Sequence, residues 1–197
     1  MPFVCSRPSH QRAERRPTST FVRVGSRIAV KGASGSGKTT FAAALAQRLG
    51  VPHVELDALH HGPNWSEPSS DEFCRRVRAV IDTNPRGWVI DGNYERKLGH
   101  LVTDAADTVV WLDLPLWTLL ARLWRRTSRR IRSNAELWNG NRESWRTALW
   151  GPESLFVWTI RSFFRHRREW PQRFAKHSNF VRLRTPAEAH DWLRRRG

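Results

Sequence analysis

The chain has 197 residues, 39% of them hydrophobic, which suits one domain with a real core and excludes both a wholly disordered chain and two full domains. Its net charge of +16 draws anions, whether nucleotides, phosphorylated metabolites, nucleic acid or an anionic membrane surface. The two cysteines, Cys5 and Cys74, exclude a disulfide framework and a cysteine zinc site, and they fit a reduced, cytoplasmic setting.

Residues 1–25 mix Pro, Ser, Thr, Arg and Gln without a period, and predict a flexible basic tail lacking the apolar run of a signal peptide. The folded domain is expected over 26–197. Arg27-Ile28-Ala29-Val30 is a short run of buried-strand type that leads into a glycine-rich turn. Thr39 to Leu49 reads as a helix with Phe41, Ala44, Leu45 and Leu49 on one side and Gly50 past its end. His53 to Leu56 predicts a second strand ending at Asp57, and Ala58 to Pro68 a loop. Ser69 and Glu72 read as a capping box opening a helix whose inward side carries Phe73, Val77, Val80 and Ile81.

Trp88 to Asp91 and Thr108 to Leu112 predict the third and fourth strands. Pro115 opens a helix facing Leu116, Leu119, Leu120 and Leu123 inward. The longest apolar stretch, Val109 to Trp124, is broken by Asp113, Pro115 and Arg122, so no membrane insertion is expected. From Arg125 to Gly151 the pattern loosens into Arg, Ser, Asn and Trp. A helix resumes from Ser154 to Trp170, Phe180 to Leu183 is the last strand, and Pro186 to Leu193 is the last helix. Strands alternating with helices indicate an α/β fold with a five-stranded parallel sheet. Charge gathers at the C-terminal end: residues 122–197 hold nineteen basic and six acidic residues, whereas residues 28–121 are close to balance. Arginine outnumbers lysine by 30 to 4; it suits bidentate phosphate contacts, although genomic base composition explains the ratio equally well.

One motif carries chemistry. Gly32-Ala33-Ser34-Gly35-Ser36-Gly37-Lys38-Thr39 matches the P-loop pattern in full, with a buried strand before it and a helix after it. Glycines let backbone N–H groups converge on phosphate oxygens, and the following helix N-terminus favours the anion. Residues Gly32 to Thr40 are therefore the expected ATP contacts. Lys38 bridges the β- and γ-phosphates, and the Thr39 hydroxyl helps hold Mg²⁺. A second metal anchor is required at the end of a neighbouring strand. Asp91 is the choice for it, because Gly92 lets the chain turn away, whereas Asp57 is expected on the acceptor side. Asp113, in an Asp-Leu-Pro sequence, reads as a helix cap.

With these residues in place the sequence resembles the adenylate-kinase-like group of P-loop kinases, most of all the small bacterial proteins known as adenylate kinases or DNA topology modulation proteins. The resemblance spans about residues 27–193 and is carried by Gly32 to Thr39, Leu56-Asp57-Ala58-Leu59 with Trp65, Trp88 to Tyr94, and Val110 to Pro115. It implies a P-loop three-layer sandwich and transfer of the ATP γ-phosphoryl to a small-molecule or nucleotide acceptor. It further implies an arginine-rich helical lid over about residues 122–151, with Arg122 and Arg126 at the characteristic spacing of four and Arg130 repeating it. Arg184-Thr185-Pro186-Ala187 resembles the stretch that cradles adenine. The chain departs from adenylate kinases in having Asn93-Tyr94-Glu95-Arg96 after Asp91-Gly92, and His60, His61, Asn64 and Trp65 in the acceptor region, which leaves the acceptor open.

Other residues have plainer readings. His53, Asp57, His60, His61 and Cys74 could be assembled into a metal site, but loop polarity explains them better. Trp65 either stacks on an acceptor ring or anchors its loop. Seven tryptophans between Trp117 and Trp170 are expected to pack within a helical subdomain, with a nucleic-acid surface as the alternative. The second function class is accordingly an ATP-binding, nucleic-acid-associated or regulatory P-loop protein with weak ATPase activity. Oligomeric state is left open.

Overall fold

Runs of buried Ile, Val and Trp make the strands. A computed structural model describes residues 26–142, 144–149 and 154–196; the N-terminal tail proposed for residues 1–25 lies outside them. Five strands, β1 (Arg27–Gly32), β2 (His53–Glu55), β3 (Trp88–Asp91), β4 (Thr108–Leu112) and β5 (Phe180–Leu183), form one parallel sheet in the order β2-β3-β1-β4-β5. The central strands are buried on both faces, as parallel sheets require. Side chains alternate between two cores. Ile28, Val30, Val89, Val110 and Leu112 face α1 (Lys38–Leu49), together with Phe41, Ala42 and Leu45. Ala29, Trp88, Ile90, Val109 and Trp111 face the opposite layer with Phe73, Val77, Trp170 and Phe174. The result is the three-layer α/β sandwich expected. Its topology reverses at β1, so the crevice at that strand's C-terminal end is where such sheets bind ligands.

The remaining helices are α2 (Leu56–His60), α3 (Ser70–Thr83), α4 (Glu95–Leu98), α5 (Leu101–Ala105), α6 (Leu116–Arg132), α7 (Trp145–Leu149), α8 (Leu155–Phe174) and α9 (Pro186–Arg194). Several expectations need correction. The second strand stops at Glu55, and Asp57 lies in the first turn of α2, so it is no strand-end carboxylate. Ser69 does cap α3, accepting the Glu72 N–H at 3.2 Å, but the Glu72 carboxylate bonds Arg75 and Arg76, so the box is half made. Helix α6 runs unbroken through the arginines to Arg132: Thr127 and Ser128 are buried and continue the inward face of Leu119 and Leu123 with small polar side chains. Helix α8 continues past Trp170 despite Pro171, because Trp170 and Phe174, four apart, both sit in the core. Of the tryptophans on α6 and α8, only Trp170 is buried; Trp117, Trp124 and Trp158 are exposed.

Asp113 does not cap α6, whose N-cap is Pro115 without a side-chain bond. Its buried carboxylate accepts from Arg167 Nε at 2.8 Å and from Arg182 Nε and Nη2 at 2.9 and 2.6 Å. The two guanidiniums lie over the Phe163 and Trp111 rings respectively. Asp113 thus ties α8 and β5 to the end of β4, and the pairing leaves its buried charge compensated.

Behind the P-loop strand, Lys31 Nζ donates to the Gly92 carbonyl at 2.7 Å and pairs with Glu95 Oε1 at 2.7 Å. Burial pushes Glu95 up, but Lys31 outweighs it and holds the carboxyl below the usual range. His166, stacked on Trp170 at 3.8 Å, is driven down to about 3 by burial. Glu95 favours its protonation, whereas Arg165, Lys31 and Lys38 oppose it. The fold therefore keeps this imidazole neutral, while the unfolded chain takes up a proton below about pH 6.5. Stability from this group is complete above pH 6.5 and is lost as pH falls toward 3. In urea unfolding followed across that window, His166→Phe flattens the acid-side slope by roughly 1 kcal/mol per pH unit. An unchanged slope would place the acid sensitivity elsewhere.

Candidate active site

The P-loop joins β1 to α1. Gly35 has φ +82°, and a Cβ there would strike the Leu119 carbonyl oxygen, so glycine alone fits this close approach to α6. Asn93 holds the start of the loop from the side: its Oδ1 accepts the Gly32 N–H at 3.3 Å and its Nδ2 donates to the Gly32 carbonyl at 2.7 Å. Lys38, Thr39 and Thr40 line a cavity of about 530 Å³ together with Gly35, Gly37 and Arg122.

Asp91 ends β3 in register with Val30 and Glu55. It is buried, and its Oδ1 lies 3.4 Å from Thr39 Oγ1. Gly92, at φ +137°, makes the turn that follows, with the Leu56 side chain packed where a Cβ would stand. The other oxygen, Oδ2, meets His53 Nε2 at 2.8 Å. A hydroxyl and a carboxylate facing each other beside a P-loop lysine suit a hard divalent cation with oxygen ligands, so Thr39 and Asp91 could hold Mg²⁺. Glu55 stands next to them; burial and then the negative charge of Asp91 push its carboxyl up.

Arg122 Nη1 donates to the Ser36 carbonyl at 3.2 Å, lying across the P-loop. Arg126 and Arg130 follow at one-turn spacing on α6 and line the same cavity. Arg142 lies outside it, at an isolated bridge with Glu136. After α6 the chain crosses to the loop that follows α2. Asn139 Nδ2 donates to the His61 carbonyl at 2.5 Å, and Asn141 Nδ2 to the Gly62 carbonyl at 2.9 Å. The Asn141 side-chain oxygen accepts the Trp65 N–H at 2.8 Å. Trp65 holds φ +58°, a left-handed conformation costly for so large a residue. Trp138 stacks on His61 and donates to Glu55 at 3.3 Å.

A second cavity of about 580 Å³ opens beyond Asp57. Tyr94 donates its hydroxyl to Asp57 Oδ1 at 2.8 Å and lies 3.3 Å from His61 Nε2; burial, then the Asp57 charge, raise the phenol well above its ordinary value. His60 is no polar loop residue: it is buried against Phe73 and Tyr94. Its Nε2 lies 2.6 Å from Lys97 Nζ and so accepts, since an ammonium only donates. Burial and Lys97 hold this imidazole below its usual pKa. His60, His61 and Glu67 offer ligand atoms within 4.8 Å of one another, but the Lys97 ammonium stands among them, 2.7 Å from Glu67 Oε2.

Sequence reasoning thus named the P-loop, Asp57, Asp91, Arg122 and Arg126, and the fold gathers them at one crevice. It missed Asn93 as a side-chain partner of Gly32, His53 as the partner of Asp91, and the Tyr94–Asp57 bond. Thr185 caps α9, accepting the Glu188 N–H at 3.1 Å, at the expected adenine stretch.

No protein-family model and no curated protein sequence matches the chain. Solved structures do. A gluconokinase from Sinorhizobium meliloti 1021 superposes with a TM-score of 0.51 at 20% identity, over 88% of this chain and 94% of that one. A shikimate kinase from Bacteroides thetaiotaomicron gives 0.52 at 16%, over 86% and 94%, and a sugar kinase from Janibacter sp. HTCC2649 gives 0.52 at 18%, over 86% and 90%. The chain shares the fold of these kinases, a five-stranded parallel sheet between helical layers. Among the described residues no helix is long and apolar enough to cross a membrane.

Proposed function

We propose that the chain is an ATP-dependent phosphotransferase that moves the γ-phosphoryl to a small-molecule acceptor. The observation behind this reading is that the two cavities share Lys38, Asp57, Arg126, Arg130 and Trp138. A phosphate-binding loop on one side and a separate cavity on the other meet at a seam of cations with one carboxylate. That is the arrangement an in-line transfer between two substrates needs. The kinase neighbours agree with it at the level of fold. Arg96, the arginine nearest in sequence to the one that grips an acceptor phosphate in adenylate kinases, is exposed and lines neither cavity, so a small-molecule acceptor is favoured over a nucleotide.

In this reading the P-loop amides and Lys38 bind the triphosphate, and Thr39 and Asp91 hold Mg²⁺, which neutralises phosphate charge when bound. His53 orients Asp91, and Asp57 takes the acceptor proton. Residues 122–151 act as the lid, with α6 bringing its arginines over the phosphates; residues 143 and 150–151 of that segment lie outside the described ones.

Lys38→Ala provides the first test. At a hundred times its Kd, ATP stabilises a binder by about 2.7 kcal/mol, a rise in Tm of roughly 5–10 °C for a chain of this size. The variant loses that rise while its Tm without ATP stays near wild type, because Lys38 faces a cavity and not the core. Equal stabilisation of both proteins in differential scanning fluorimetry would remove the P-loop assignment.

A groove on the outer side of α6, lined by Trp124, Arg125, Arg129 and Arg132, favours a second reading, binding of nucleic acid. Affinity for single-stranded DNA that falls steeply with salt, and falls further on Arg129→Ala, would establish it.

A further inference from the structure

The cavity beyond Asp57 narrows the acceptor class, an inference that rests on the phosphotransferase reading. We propose that the acceptor is an uncharged, hydroxyl-bearing ring compound without phosphate or carboxylate. Two observations carry this. The first is charge. Lys38, Arg126 and Arg130 belong to the seam and face the nucleotide cavity as well, where a triphosphate occupies them. Beyond the seam stands Lys97, which is matched by Glu67 at 2.7 Å and spends a further proton on His60 at 2.6 Å. His60 itself is held neutral by burial and by Lys97. Among the described residues the far end of the cavity thus holds one cation matched by one carboxylate, and an anion entering it would lose water without gaining a counter-ion from them.

The second observation is the wall. Trp65, Tyr94, Trp138 and Trp158 line the cavity, and Trp65 and Trp158 remain 42% and 39% exposed. Aromatic rings on a cavity wall can stack planar rings or the C–H face of a sugar ring, and flat neutral molecules gain most from them. The backbone strain at Trp65, secured by Asn141, places one of these rings there.

The chemistry then closes without further reagents. The acceptor hydroxyl oxygen forms a bond to the γ-phosphorus, and the bond from that phosphorus to the bridging oxygen breaks. Its electron pair leaves on ADP. The hydroxyl proton passes to Asp57, whose other hydrogen bond, from Tyr94, fixes the carboxylate orientation.

Matched acceptor pairs test the proposal: adenosine against AMP, glucose against gluconate and glucose phosphate, and inositol against inositol phosphate. ADP release is measured together with quenching of tryptophan fluorescence. The uncharged member of at least one pair is expected to win in kcat/KM by about tenfold or more, as one unmatched buried anion costs at least that. Trp65→Leu raises KM for that acceptor by roughly tenfold with kcat nearly unchanged, and leaves ATP stabilisation at the wild-type value. Glu67→Gln releases the Lys97 cation and moves the preference several-fold toward the anionic member.

Preference of the wild-type protein for the anionic members, or a Glu67→Gln preference that stays put, overturns the acceptor class and leaves the phosphotransferase reading standing. The same holds if no uncharged ring accepts phosphate while ATP still stabilises the protein. Absence of any ATP stabilisation takes the phosphotransferase reading down as well.

Discussion

Alanine at Arg126 or Arg130 lowers phosphoryl transfer by about 10³-fold, whereas alanine at Arg142 leaves it close to wild type. The transferred phosphoryl spreads negative charge over its equatorial oxygens, and a guanidinium already in place stabilises that charge without reorganisation. Arg126 and Arg130 line both cavities, so in the proposed reaction they stand where the group would pass from donor to acceptor. Arg122 reaches only the phosphate side and also bonds the Ser36 carbonyl; its loss combines weaker ATP binding with slower turnover. Arg142 lines neither cavity. Steady-state kinetics on the four single variants read this directly. Equal small losses at all four, accompanied by weaker DNA binding, would assign the basic segment to nucleic acid instead.

Asp57→Asn reduces kcat by roughly 10²- to 10⁴-fold, the usual worth of a positioned general base, while ATP-dependent stabilisation persists. Asparagine keeps the size and an acceptor for the Tyr94 hydroxyl, so the fold is spared. What disappears is the carboxylate proposed to take the proton. Asp91→Asn behaves differently. Its effect is expected on the Mg²⁺ concentration needed for turnover, because Asp91 faces Thr39 and does not line the second cavity. Mg²⁺ titrations of the two variants separate the roles; if Asp57→Asn alone shifted the metal dependence, the assignments would be exchanged.

The strands and the P-loop were legible because their signals are contiguous: a run of Val, Ile and Trp buried on both faces, and eight residues whose backbone conformation needs glycine at fixed places. Contacts between residues far apart in sequence were not. Asp113 meets Arg167 and Arg182 across 54 and 69 positions, and Asn93 meets Gly32 across 61; no periodicity links such partners. Asp113 was read from its neighbours, Leu114 and Pro115, and so as a cap. The length of α6 was missed for a different reason. The leucine stripe stops at Leu123, but Thr127 and Ser128 still pack inward, and a small polar residue against a neighbouring helix carries no hydrophobic signal. Asp57 was singled out from its place after an apolar run, and the turn of α2 that presents it could not be told from a strand end.

The bonds from Asn139 and Asn141 to the loop around Trp65 have a thermodynamic consequence. The segment that follows the α6 arginines and the loop that walls the second cavity are joined by three hydrogen bonds, so a ligand that orders one would order the other. On the phosphotransferase reading, a coupling free energy between the two substrates would be the same from both directions, each sharpening the affinity for the other by an equal factor. Its carriers would be two asparagine side chains that line neither cavity.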